Sequence, residues 1–242
     1  MQKFFLEKIR LSVYFWSLLI IFTIIALVVP HQKFSSGALA LFSVNSFLYG
    51  FYIAPILSSQ KARIDELHKI ARSEANAVFA IALSIKSLPS KLRNEIQDFL
   101  LNYLKKITQS KKTLNGEDEY EDLITYCIEY DGENKEQIMK LLDKLVANQQ
   151  NRTNLSMQMG TSVFSNEWSI MFVLFGITIG FVITMDTGGQ VIYRIIAALL
   201  CTGLSMLIIN LIKMSTLTHK RAKKIWDPYK QLIKSRFYRI EG

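Results

Sequence analysis

Four apolar stretches set in two pairs, with a long polar block between the pairs, constrain this chain more than any motif in it. They cover residues 12–30, 38–57, 168–185 and 195–212. Each approaches the roughly 20 residues that an α-helix needs to cross the hydrocarbon core of a bilayer. The connectors inside the pairs, 31–37 and 186–194, are too short to hold a folded domain. The pattern predicts an all-α polytopic membrane protein: four transmembrane helices, with a cytoplasmic helical bundle between helices 2 and 3. The chain divides accordingly into a first hairpin (1–57), a helical region (58–167), a second hairpin (168–212) and a basic tail (213–242).

Charge assigns the sides. Half of the residues are hydrophobic and 20% are charged, and the two classes are segregated along the chain. Lys3, Lys8 and Arg10 stand against Glu7 before the first stretch, and nine Lys/Arg stand against Asp227 and Glu241 after the last. The short connectors hold only Lys33, Asp186 and Arg194. By the positive-inside rule both termini and the polar block are expected to be cytoplasmic, in a cell inner membrane. The first stretch is longer than a signal-peptide apolar core, and Val28-Val29-Pro30-His31-Gln32 offers no small-x-small cleavage site, so it reads as a retained helix. Cys127 and Cys201 are too far apart in this scheme for a disulfide or a metal site. The sequons Asn151-Arg152-Thr153 and Asn154-Leu155-Ser156 are idle on a cytoplasmic face.

The polar block reads as helices throughout. Ile64, Leu67, His68, Ala71, Ala75, Val78, Phe79 and Ala82 recur at spacings of three and four, predicting that the second crossing continues as one long helix to about residue 87. Leu88-Pro89-Ser90 ends it and opens a helix to about 109. That helix carries Leu92, Ile96, Phe99, Leu100, Tyr103 and Leu104 on its apolar face. A turn at 110–118 with Asn115-Gly116 at its tip leads to a helix at 119–130, and Asp131-Gly132 separates it from a last helix starting near Lys135. Its apolar positions Ile138, Leu141, Leu142, Leu145 and Val146 give way to the polar run 148–154, and the chain then leads back to the membrane at Trp168. Over 58–167 fifteen Lys/Arg face sixteen Asp/Glu, so the net +9 resides in the chain ends. A basic juxtamembrane tail with Trp226, Tyr229, Phe237 and Tyr238 suits anionic lipids better than nucleic acid, which is not expected as a partner.

Reactive chemistry is thin. No phosphate loop, nucleophile elbow or His-carboxylate set is present, no metal or cofactor is expected, and the chain does not read as an enzyme. Glu117, Asp118, Glu119, Glu121 and Asp122 lack the alternating ligands and central glycine of a calcium loop; they suit the start of a helix. Arg63 and His68 resemble the Arg-x4-His spacing of HEPN-type ribonucleases. His68 shares the apolar face of its helix, however, and RNA cleavage ranks last among the readings. Gly176 and Gly180 form a small-xxx-small pattern suited to helix packing.

The crossings hold no acidic residue and no basic one away from their ends, which argues against a proton relay or an ion-coupled transporter. The second crossing is the richest in neutral polar groups. Phe42, Asn45, Tyr49, Tyr52 and Ile56 share one of its faces and are the candidate pore lining. Dipoles interleaved with apolar side chains suit a weakly selective pore with a constriction that can dewet. Hydrogen bonding that holds the bundle together is the other reading of the same residues. Lys61, Arg63, Lys69 and Arg72 are candidates for a cytoplasmic mouth that attracts anions.

The chain from the second crossing onward resembles the bestrophin-like domain family of bacterial membrane proteins. The carrying residues are Arg63, Glu74-Ala75-Asn76-Ala77, Leu88-Pro89, Arg93, Tyr103 and Trp168. The likeness covers about 46–106 closely and 168–213 loosely. Asn166 stands where a proline is expected, and 110–150 matches nothing recognisable. The resemblance implies a four-crossing subunit with a cytoplasmic helical region. By analogy with bestrophin anion channels it implies a homo-oligomer, a pentamer, conducting ions through a pore lined by the second crossing. One alternative belongs to another class, a non-conducting scaffold or sensor whose cytoplasmic bundle binds a partner protein; a further one, a membrane-depolarising effector of an anti-phage system, shares the channel chemistry and differs in biology.

Overall fold

The computed structural model describes residues 9–109, 116–160, 163–186, 188 and 190–234. The described residues are helical with no β-strand, and four of the helices are long and apolar enough to cross a membrane. In chain order the helices are α1 (Leu11–Val28), α2 (Ser36–Ser84), α3 (Ser90–Gln109), α4 (Glu117–Glu129), α5 (Lys135–Gly160), α6 (Ser165–Thr184), α7 (Val191–Ser215) and α8 (Asp227–Lys234). Short 3-10 turns at Ile85–Ser87 and Ala222–Trp226 follow α2 and precede α8. Contacts group the chain into two units, Met1–Ala62 with Ser162–His219, and Arg63–Thr161 with Lys220–Gly242.

The first unit contains α1, the N-terminal part of α2, α6 and α7. Its core is a cluster of Tyr49, Ile53, Val163, Met171, Ile208 and Leu211, flanked by Trp168, Phe175 and Leu204. The outward side chains are apolar too: Trp16, Ile20, Phe47, Phe51, Val173 and Leu200 are all exposed. A surface of this kind is stable in lipid and not in water. One end of the unit is closed by the short connectors. The Gln32 N–H donates to Thr184 O at 2.8 Å and the Asp186 N–H to Gln32 O at 3.0 Å, a lone parallel bridge that joins the two connectors. Lys213 works at the other end of α7: its Nζ donates to Ile9 O at 2.7 Å and lies 4.9 Å from the centre of the Tyr14 ring.

The second unit contains the rest of α2, then α3, α4, α5 and α8. The periodic face of α2 is buried at Ile64, Leu67, Ala71, Ala75 and Val78 and continues through Ile81 and Ile85, not through Phe79 and Ala82. The helix drifts about its axis because 3.6 residues per turn do not divide evenly into steps of three and four. On α3 the expected face is buried at Leu92, Ile96, Leu100, Tyr103 and Leu104, while Phe99 is only half-buried. Gly116 precedes α4 at φ +109°, where a Cβ would lie 3.1 Å from the Tyr103 ring, so glycine is required both by backbone and by space. Glu117, Asp118 and Glu119 occupy the first turn of α4, where the helix dipole favours them.

Helix α5 runs on to Gly160, through the polar stretch that interrupts its apolar pattern. Asn148 and Arg152 are themselves buried there, so polar groups continue the inward face that Ile138, Leu141 and Leu145 begin and Leu155 ends. The segment 222–234 also differs from a simple lipid-facing tail. Ala222, Ile225, Trp226 and Tyr229 are buried in the second unit, so Trp226 and Tyr229 are not presented to a bilayer surface. Phe237 and Tyr238 lie outside the described residues.

The second transmembrane helix and a buried carboxylate cluster

Helix α2 contributes to both units. In the first, its side chains at 42, 45, 49, 52 and 56 turn toward the interior of that unit. Asn45 Nδ2 donates to Leu174 O at 3.1 Å and to Thr178 Oγ1 at 2.8 Å, and the Thr178 hydroxyl donates to Leu174 O at 2.8 Å. Tyr49 is 2% exposed, donates to Leu204 O at 3.4 Å, and packs against Phe175 with ring centres 6.1 Å apart. Phe42 rests on Phe181 at 5.4 Å, and Tyr52 and Ile56 pack against the core cluster.

These contacts are the interhelical bonding that neutral polar groups make in an apolar medium. Tyr49 is thereby held inside the first unit. The exposed side of α2 in this unit carries Leu41, Val44, Phe47, Leu48 and Phe51, and the Phe47 and Phe51 rings stack at 6.0 Å.

The candidate mouth residues separate. Lys61 and Arg72 are exposed, and Lys69 is exposed beside Glu66, 3.4 Å away. Arg63 is buried: its Nε donates to Gln158 O and its Nη2 to Met159 O, both at 2.9 Å. It satisfies backbone carbonyls in the last turn of α5, which otherwise lack partners. Burial lowers the pKa of its guanidinium from the ordinary value. Gly176 and Gly180 are exposed, and a Cβ at either would meet nothing within 4 Å, so neither mediates a close helix approach within the chain.

In the second unit α2 supplies Glu74, which is 0% exposed. Tyr103 of α3 donates its hydroxyl to Glu74 Oε1, and Tyr229 of α8 donates to Oε2. Arg152 of α5 completes the chain, its Nε donating to the Tyr103 hydroxyl at 3.0 Å. The guanidinium lies 3.9 Å from the centre of the Tyr120 ring and 5.1 Å from that of Tyr103. Gln149 accepts from Nη1 at 2.9 Å, whereas Nη2 is buried without a hydrogen-bond partner among the described residues. Tyr120 in turn donates to Leu145 O at 2.9 Å and accepts from Asn148 Nδ2 at 3.2 Å.

Every hydroxyl around Glu74 points its proton at the carboxyl oxygens, the arrangement an ionised carboxylate accepts. Burial acts against that charge and raises the Glu74 pKa; the two tyrosine bonds and the Arg152 charge oppose the rise. Burial also pushes Tyr103 and Tyr229 well above the usual phenol value, with the Glu74 charge adding to it. The phenols therefore stay protonated donors. Four helices converge on one carboxylate here.

Glu74 and Tyr103 were legible in sequence only through the family likeness. Arg152, Tyr120, Asn148 and Tyr229 carried no such mark. The one available signal was a run of polar residues, 148–154, inside an otherwise amphipathic helix.

Four long apolar helices joined by short connectors, with a second helical unit threaded between them in sequence, define a polytopic helical membrane protein. The bestrophin-like domain model matches residues 18–218, most of the chain, so the protein belongs to the bestrophin-like domain family, a channel-type rather than an enzymatic family. Neither the comparison with curated proteins nor that with solved structures gives a match.

Proposed function

We propose that this chain is the subunit of a homo-oligomeric, anion-conducting channel of the inner membrane, with both termini and the second unit cytoplasmic. The pore is lined by the second transmembrane helix and gated through the helical unit. One observation carries the reading: α2 is a single helix of 49 residues that includes both an apolar membrane span and the buried Glu74. A rearrangement of the Glu74 cluster thus acts on the same continuous helix that forms the pore wall. Pro55 lies inside that helix. It removes one backbone hydrogen bond and supplies a natural point of bending.

The proposal keeps α2 as the pore wall but moves the lining to its open side, Leu41, Val44, Leu48 and Phe51. An apolar ring of such side chains suits a gate that closes by dewetting. Selectivity for anions draws on the exposed Lys61, Lys69 and Arg72; Arg63 is already committed to carbonyls. Family membership supports this reading, although function need not follow fold.

The test is purified protein in liposomes with an internal chloride reporter. Chloride flux above that of empty vesicles, exceeding potassium flux under the same gradient, is the expected result. Vesicles as tight as protein-free controls across pH and voltage would overturn it and leave a membrane-anchored scaffold.

A further inference from the structure

The exposed side of α2 in the second unit bears a feature that the channel reading does not explain. His68, Arg72, Asn76 and Phe79 follow one another at spacings of three and four, beside the buried stripe of the helix. They form one wall of a cleft of about 620 Å³, whose other wall is built by Lys224, Pro228 and Leu232. Small-molecule sites commonly occupy about 300–1,000 Å³. A second hollow of about 360 Å³ adjoins it, sharing His68, Arg72 and Asn76 and adding Lys69 and Ser73.

The lining is chemically divided. Arg72 and Lys224 are exposed cations with no ion-pair partner among the described residues. His68 Nε2 donates to Arg221 O at 2.9 Å, which leaves Nδ1 as an acceptor. Phe79, Pro228 and Leu232 give an apolar wall. Asn76 and Gln231 add amides that both donate and accept, and Asp227, 3.8 Å from Lys230, adds a carboxylate. An inorganic anion would use only the two cations and would be repelled by Asp227. A lipid phosphate would leave the amides and the carboxylate unused. A ligand with a phosphate, hydroxyls for Asp227, and a flat ring with polar edges uses all of them.

We propose that this cleft binds a nucleoside monophosphate or a phosphate ester of the same chemistry: phosphate on Arg72 and Lys224, ring against Phe79, Pro228 and Leu232. The site goes beyond the channel reading and stands whether or not the chain conducts.

The test is calorimetric titration of the full-length protein in detergent. AMP, GMP, CMP and UMP are the probes, with inorganic phosphate, adenosine and a short-chain phosphatidate as separate arms. At least one mononucleotide should bind saturably, at least about tenfold more tightly than phosphate, adenosine or phosphatidate, one charged hydrogen bond being worth roughly that factor. Arg72→Gln and Lys224→Gln, both at exposed positions, should each weaken it by about tenfold with the melting temperature unchanged. Lys140→Gln, outside the cleft, should leave it as it was. The assignment fails if no mononucleotide binds at millimolar concentration. It fails equally if phosphate or phosphatidate matches the nucleotides, or if Arg72→Gln and Lys224→Gln bind like the parent protein.

Discussion

The hydroxyl of Tyr229, in the last described helix, donates to Oε2 of Glu74, on the helix that also contains the second apolar span. This single bond ties a C-terminal segment to the element proposed as the pore wall, and it joins two groups that are both 0% exposed. Breaking it leaves an acceptor in a site where water does not reach.

Tyr229→Phe keeps the ring and removes only the donor. Leaving a buried carboxyl oxygen without its donor costs about 1–3 kcal/mol. The expected outcome is a lower thermal midpoint for the detergent-solubilised protein and earlier proteolysis in the 222–234 segment. A midpoint equal to that of the parent would show that the bond contributes nothing.

Glu74 gives a pH signature with a definite sign. Its pKa is raised above the ordinary 4.5 by burial, so the folded state holds the proton more tightly than the unfolded chain does. Stability from this group is therefore fully present below the ordinary value and is lost as pH rises through the folded pKa. Between pH 5 and 8 the parent should lose more of its thermal midpoint than Glu74→Gln, which has no proton to release. A Glu74→Gln protein with the same pH slope as the parent would assign that slope to other groups.

Arg152→Met tests the far end of the same chain. The guanidinium is fully buried between two tyrosine rings and donates to the Tyr103 hydroxyl. Removing one partner of a buried charged network costs about 3–5 kcal/mol. Because Glu74 is left without its cation, Arg152→Met with Glu74→Gln should be less destabilised than Arg152→Met alone. Strict additivity in the double-variant cycle would sever the two residues.

The two sides of α2 should respond differently to truncation. Tyr49→Ala opens a cavity in the first unit and should lower the thermal midpoint with little change in conductance per folded protein. Phe51→Ala removes an exposed ring and should raise leak in the liposome assay with the midpoint unchanged. The reverse pattern would return the lining to the Asn45–Tyr49 face.

Sequence patterning located the membrane spans and the helices between them closely, because long runs and strong periodicity dominate those choices. It also anticipated that the second crossing continues without a stop. It was weakest where burial is polar. Asn148 and Arg152 read as a solvated end to the apolar face of α5, since no periodicity rule distinguishes a polar group in solvent from one held by tyrosines. Tyr229 read as an interfacial aromatic for the same reason: its partners lie far away in the chain. On α2, Asn45 and Tyr49 were correctly set on one face, yet a single helix does not reveal whether that face meets a lumen or Thr178 and Leu204.

The two backbone bonds at Gln32 have a consequence for biogenesis. They join the loop of the first hairpin to the loop of the second, so the pair must enter the bilayer the same way up. A chain whose halves were inserted with opposite orientations would leave the Gln32 amide and carbonyl on the wrong side from Thr184 and Asp186. Whichever face of the bilayer these loops occupy, they occupy it together.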